Sequence, residues 1–269
     1  MESGPIGVFD SGLGGLTTLK ELKKLLPGED IIYLGDTGRV PYGLKSKPTI
    51  IKYALQDAAF LARFDIKAMV VACNSVCSSA YDELKKNFNI PIYEVITPAV
   101  KAAALRTKNK KIGVIGTKAT IRSGAYKAAL EATLPGCEIL SAACPLFVPL
   151  VEEGIIDPDD IAVLSIAERY LGPMRESGID TVILACTHYP LLKNVISKVI
   201  GNDITLIDSG LETAKLTASD FSENGVQGNG KTEGEIKYFV TDSTDGFAEM
   251  ASKFLGSDIR GMVQQVELE

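Results

Sequence analysis

The 269-residue chain has no tryptophan, a single histidine at His188, and no run of about 18 apolar residues of the kind that crosses a bilayer. Its first segment, MESGPIGVFDSGLGG, lacks the basic and then apolar regions of a secretory leader, so a cytoplasmic protein is expected. Basic residues are outnumbered, 28 Lys and Arg against 34 Asp and Glu. The net charge is −6, with one short basic run from Lys108 to Lys111. That balance argues against nucleic acid or an acidic membrane as partner. The five cysteines, Cys73, Cys77, Cys137, Cys144 and Cys186, are odd in number and irregularly spaced. Such a set reads as reduced thiols rather than as a disulfide framework. Cys73 and Cys77 have CxxxC spacing, but with one histidine and no second close pair they do not make a zinc site, and no metal is expected.

What is present is an ordinary globular composition, 46% hydrophobic and 23% charged, in a chain long enough for two cores. Short apolar runs alternate with segments of helical period, the pattern of a parallel sheet covered by helices. IGVF, DIIYLGD, AMVVAC and IPIYEVI each lead into a helical segment. KIGVIG and DTVILAC then open a second series that echoes the first: IGVFDSG resembles IGVIGTK, and MVVACNS resembles VILACTH. The expected fold class is α/β, with two similar lobes, each a mainly parallel sheet flanked by helices, and an active site at their interface. Residues 1–97 plus 210–269 would form the first lobe and residues 98–209 the second, with crossings near Thr97 and Pro98 and near Ser209 and Gly210.

In open α/β sheets, ligands gather at the carboxyl ends of the strands, and both Cys73 and Cys186 fall there. A cysteine ending an apolar strand is commonly just buried packing. Two equivalent ones, each followed by amide, hydroxyl or imidazole side chains, point instead to thiol chemistry from two sides of one ligand. A helix N-terminus behind such a thiol is expected to lower its pKa. Asp10 and Ser11 place a carboxylate and a hydroxyl at a third strand end. His188, two residues from Cys186, suits an acid or base. Spacing does not choose between Glu152 and Glu153 in PLVEEG as a further carboxylate. DTGRVPYG, Asp36 to Gly43, reads as a substrate-facing loop. GVQGNGKT, Gly225 to Thr232, fits the phosphate-loop pattern, yet it follows a helical segment and precedes a strand. Phosphate binding needs the opposite order, so a polar turn is expected. A Cys/His hydrolase and a two-lobed binding protein remain open on these residues alone.

Taken together, IGVFDSGLGGL, GDTGRVPYG, VACNS, GTKATI, FVPLVEEG and ACTHYPLL resemble the cofactor-independent aspartate/glutamate racemase family, and within it the glutamate racemases. The motifs run in family order from Ile6 to Leu192. The resemblance implies interconversion of L- and D-glutamate for peptidoglycan synthesis, with no pyridoxal phosphate and no metal; it leaves a homodimer open. It implies Cys73 and Cys186 as the catalytic pair, with Asp10 assisting the first and Glu152 and His188 the second. Substrate contacts are implied for Asp10, Ser11, Tyr42, Gly43, Asn74, Ser75, Thr117, Thr187 and His188. Where the family usually has Asn-Thr-Ala after the first cysteine, this chain has Asn74-Ser75-Val76 and then Cys77. Serine keeps the hydroxyl, and Cys77 is expected one helical turn beyond Cys73.

Overall fold

The structure, a computed structural model, describes residues 4–226 and 231–268. Eight strands alternate with helices: β1 (Ile6–Asp10), β2 (Ile31–Gly35), β3 (Ala68–Val71), β4 (Ile92–Glu94), β5 (Lys111–Gly116), β6 (Glu138–Ala143), β7 (Thr181–Ala185) and β8 (Thr205–Asp208). β9 (Ile236–Val240) and β10 (Val263–Gln265) follow. They form two sheets, in the orders β10-β9-β2-β1-β3-β4 and β6-β5-β7-β8, and every pairing is parallel. The echo between the halves is thus a repeat of topology. The order β2-β1-β3-β4 in one sheet is the order β6-β5-β7-β8 in the other, with Cys73 after β3 and Cys186 after the equivalent β7.

Side-chain alternation explains why both sheets are covered on two faces. In β1, Ile6 and Val8 enter a core shared with Leu16, Leu19 and Phe221, while Phe9 enters the opposite core. In β7, Val182 and Leu184 pack with Phe147 and Val195, whereas Ile183 joins Phe9, Met69 and Val76. This last core contains residues of both sheets and holds the lobes against each other.

The strand β6 escapes sequence reading. Its EILSAA has no β-branched alternation beyond one isoleucine, and it is a partly exposed sheet edge. Thr97 and Pro98 lie in the first turn of the helix Ile96–Arg106, and Ser209 and Gly210 in that of the helix Ser209–Glu223. Both expected crossing points therefore fall at helix starts. In GVQGNGKT, residues 227–230 lie outside the described residues; the helix Ser209–Glu223 precedes the segment and β9 follows it.

The first crossing is anchored by Glu94. Its carboxylate accepts the backbone N–H groups of Ile96 at 2.5 Å and Thr97 at 2.7 Å, satisfying donors that a helix start leaves unpaired. Glu94→Ala is expected to lower stability by about 1–3 kcal/mol, the usual cost of a lost cap with a charged acceptor. Urea unfolding at neutral pH measures it. A midpoint equal to that of the parent chain contradicts the anchoring role.

Candidate active site

The carboxyl ends of the two sheets face each other across a cavity of about 30 Å³. That is room for one or two water molecules. Ten of the twelve residues expected from sequence line it: Ser11, Tyr42, Gly43, Cys73, Asn74 and Ser75 from one side, and Glu152, Cys186, Thr187 and His188 from the other. Asp10 lies fully buried behind the wall, and Thr117 supports it by pairing with the Ser75 hydroxyl at 3.0 Å. Gly12, Val40, Pro41 and Val148 also line the cavity. They carry no reactive group, so only their neighbours in DSGLGG, RVPYG and FVPLVEEG signalled them.

Cys73 lies two residues beyond β3 and is the N-cap of the helix Asn74–Asn87. Its Sγ lies 3.7 Å from the Ser11 hydroxyl. Cys186 follows β7 directly and leads into a short 3₁₀ turn, Tyr189–Leu192, before the helix Lys193–Ile200. Its Sγ is 3.9 Å from His188 Nδ1, and His188 Nε2 is 3.1 Å from Glu152 Oε1. Glu152 rather than Glu153 therefore meets the imidazole, because the helix Phe147–Glu152 turns it inward. A Glu152 carboxylate accepting Nε2–H leaves Nδ1 free to accept a proton from the thiol.

The thiols do not have the lowered pKa expected from the helix N-terminus. Burial pushes Cys73 up to about 12, and the nearby Asp10 charge adds to it; the N–H of Val76 in the first helical turn works in the opposite direction. Burial likewise holds Cys186 well above the ordinary thiol range, against the His188 N–H. The magnitudes decide the sign. A helix start stabilises an anion by about 0.3–1 kcal/mol, rarely about 2, whereas removing a charge from water costs several. Asp10 is raised by burial too, and His188 and the N–H groups of Gly15, Gly12 and Ser11 offset part of that. The closed site thus stores neutral thiols.

This has a consequence for stability. An unfolded cysteine loses its proton near pH 8.5, while folded Cys73 keeps it to about 12. Between those values the folded state binds more protons, so stability falls as pH rises. In urea unfolding at pH 7.5 and pH 10, Cys73→Ser is expected to lose less stability between the two than the parent chain. An equal loss contradicts the buried neutral thiol.

Two expected contacts are turned to other work. The Tyr42 hydroxyl points away from the cavity toward Asp36 and Asp57, leaving its backbone to face a ligand. The Asn74 amide receives the Tyr126 hydroxyl at 2.5 Å and donates to the Ser209 hydroxyl at 3.3 Å, which in turn donates to the Leu184 carbonyl in β7 at 3.0 Å. The residue after one cysteine is thereby tied to the strand that carries the other. Cys77 sits one turn beyond Cys73, its thiol 3.2 Å from the Val71 carbonyl and not in the cavity wall. Among the described residues, no three His, Cys, Asp or Glu side chains converge as a metal site requires.

Comparison with known proteins gives this arrangement a context. Residues 17–217 match the Asp/Glu/Hydantoin racemase family. The chain belongs to that family. Over 264 residues, 98% of this chain and 97% of the relative, it is 48% identical to a glutamate racemase of Geobacter metallireducens. The crystal structure of a Francisella tularensis glutamate racemase in complex with D-glutamate is 39% identical and superposes with a TM-score of 0.92, covering 100% of this chain and 99% of that one. Glutamate racemase isoform RacE1 from Bacillus anthracis, 37% identical, gives 0.94 with the same coverage. This family member is an isomerase of the amino-acid racemase kind. No helix among its described residues is long and apolar enough to cross a membrane.

Proposed function

We propose that the chain interconverts L- and D-glutamate by two-base proton transfer at Cα, supplying D-glutamate for peptidoglycan. The observation that carries the reading is the approach of Cys73 and Cys186 to one cavity from opposite sheets. One thiolate takes the Cα proton from its face and becomes a thiol; the opposite thiol gives its proton to the other face and becomes a thiolate. Reversal exchanges the roles. Because burial keeps both sulfurs protonated, the working thiolate needs a local base: Asp10 for Cys73, and His188, supported by Glu152, for Cys186. Removal of the Cα proton sends charge into the substrate carboxylate. The hydroxyls of Ser11, Ser75 and Thr187 and the first N–H groups of the helix Asn74–Asn87 are the donors available to hold it, each worth about 3–4 kcal/mol when preorganised.

Glutamate as substrate is supported by the names of the relatives above. Because the cavity is walled by residues of both sheets, we take residues 98–209 to be a lobe that parts from the rest of the chain to admit the amino acid. Rates with L- and D-glutamate compared with L- and D-aspartate test the assignment. Glutamate is expected to be turned over at least 100-fold faster, and preference for aspartate would overturn the substrate while leaving the family intact. The Cys186–His188–Glu152 alignment also suits a thiol hydrolase, but that reading leaves Cys73 without a task.

A further inference from the structure

Behind the cavity wall lies a buried cluster that proton transfer at Cα does not use. Val40, Pro41, Tyr42 and Gly43 face the cavity, and the Tyr42 side chain runs backward to Asp36 and Asp57, both fully buried. Arg39 donates from Nε to Asp36 Oδ2 at 2.6 Å, from Nη1 to Gln56 at 2.6 Å and from Nη2 to Asp57 Oδ1 at 3.0 Å, and it stacks 4.2 Å over the Tyr53 ring. Two buried carboxylates thus share one guanidinium.

The hydrogen bonds show where the second charge goes. Asp36 receives three donors: Arg39 Nε, the Tyr42 hydroxyl, and the Thr241 hydroxyl on Oδ1 at 2.7 Å. Thr241 Oγ1 in turn accepts the Gly38 N–H at 2.8 Å, which leaves its proton for Asp36. Asp36 is therefore the ionised, acceptor-only member. The phenol has a single proton and two carboxylates within reach of it, so it can serve only one of them, and the closer is Asp36. Yet Asp57 Oδ2 lies 3.0 Å from the same phenolic oxygen. Two buried acceptor oxygens at that distance with no hydrogen between them would leave an uncompensated charge in the core.

We propose that Asp57 is a protonated carboxylic acid that donates to Tyr42. In this reading the neutral Asp57–Tyr42–Asp36–Arg39 cluster is the positioning device that holds the Val40–Gly43 wall against the substrate. All four groups are then satisfied: Asp57 Oδ2–H donates to Tyr42, Tyr42 donates to Asp36, and Arg39 neutralises Asp36 while donating to Asp57 Oδ1. Burial and the Asp36 charge both raise Asp57 well above the carboxylate range, with Arg39 opposing, which agrees with the geometry. The device links the wall to the helix Lys47–Ala62 through Asp57 and to the residue after β9 through Thr241. It acts through Tyr42, and none of Asp36, Arg39 and Asp57 lines the cavity.

The role in catalysis rests on the racemase reading; the proton itself does not. Two isosteric variants separate the carboxyls. Asparagine at 57 mimics a neutral acid that donates to Tyr42, so Asp57→Asn is expected to keep kcat and KM for glutamate within about threefold. Asp36→Asn removes the counter-charge of Arg39 and is expected to raise KM at least tenfold while changing kcat by less than threefold. In parallel, an infrared difference spectrum of parent minus Asp57→Asn at neutral pH should show the carbonyl stretch of a protonated carboxylic acid. A missing band, or an Asp57→Asn variant as impaired in KM as Asp36→Asn, overturns the proposal. A parent chain that fails to racemise glutamate while giving the band would defeat the function but not the proton.

Discussion

In the Cys186→Ser enzyme, kcat for glutamate racemisation is expected to fall by about 10²–10⁴-fold in both directions, and Cys73→Ser should lose as much. That is the usual contribution of a positioned acid or base. Serine nearly matches cysteine in size, so the buried sites beside Ser11 and His188 stay filled and the fold is retained. Its hydroxyl, however, does not ionise at accessible pH. Circular dichroism of each glutamate enantiomer measures the loss. The symmetry is the diagnostic part: a one-base enzyme or a Cys186–His188 hydrolase tolerates the loss of Cys73, whereas two opposed bases do not. Either variant racemising at the parent rate contradicts the two-base assignment.

Gly14→Ala is expected to lower kcat/KM about 100-fold and to lower the melting temperature as well, because the core shared by the two lobes is disturbed with the site. A Cβ at this position would stand 2.1 Å from Thr187 Oγ1 and 2.5 Å from His188 Nδ1, both side chains of the opposite lobe and both buried. The contact is reinforced by the Thr17 hydroxyl, which reaches the Gly14 carbonyl at 2.9 Å and the Thr187 carbonyl at 3.0 Å. The added methyl therefore holds the lobes apart and moves His188 from Cys186, and a displacement of about 1 Å costs on the order of 10²-fold. Steady-state kinetics with thermal unfolding checks both halves. A variant with unchanged kcat/KM shows that the lobes need not approach this closely.

These two sites show what a sequence discloses and what it withholds. VACNS and ILACTH were legible because an apolar strand, a cysteine and a polar helix start recur in the same order. The repeated strand order of the sheets is the structural counterpart of that echo. The loop Asp36–Gly43 was legible as a ligand wall, but the outward turn of the Tyr42 hydroxyl was not. That turn depends on Asp57, half a helix away, and on Thr241, which returns from the far end of the chain. Gly14 lies within the motif IGVFDSGLGGL, but nothing in the sequence marks it as a contact with Thr187, which meets it only after the second lobe folds back. The direction of the thiol pKa is hidden from sequence for a related reason: the helix start is visible there, whereas the burial that outweighs it is a property of the closed lobes.

The most direct test of the central claim is to incubate the parent chain with D-glutamate in deuterium oxide, with no cofactor added, and follow optical activity and mass together. Two thiols that exchange with solvent should bring the optical activity to zero and leave deuterium at Cα of the L-glutamate formed. Unchanged optical activity, or L-glutamate formed without deuterium at Cα, would contradict the account.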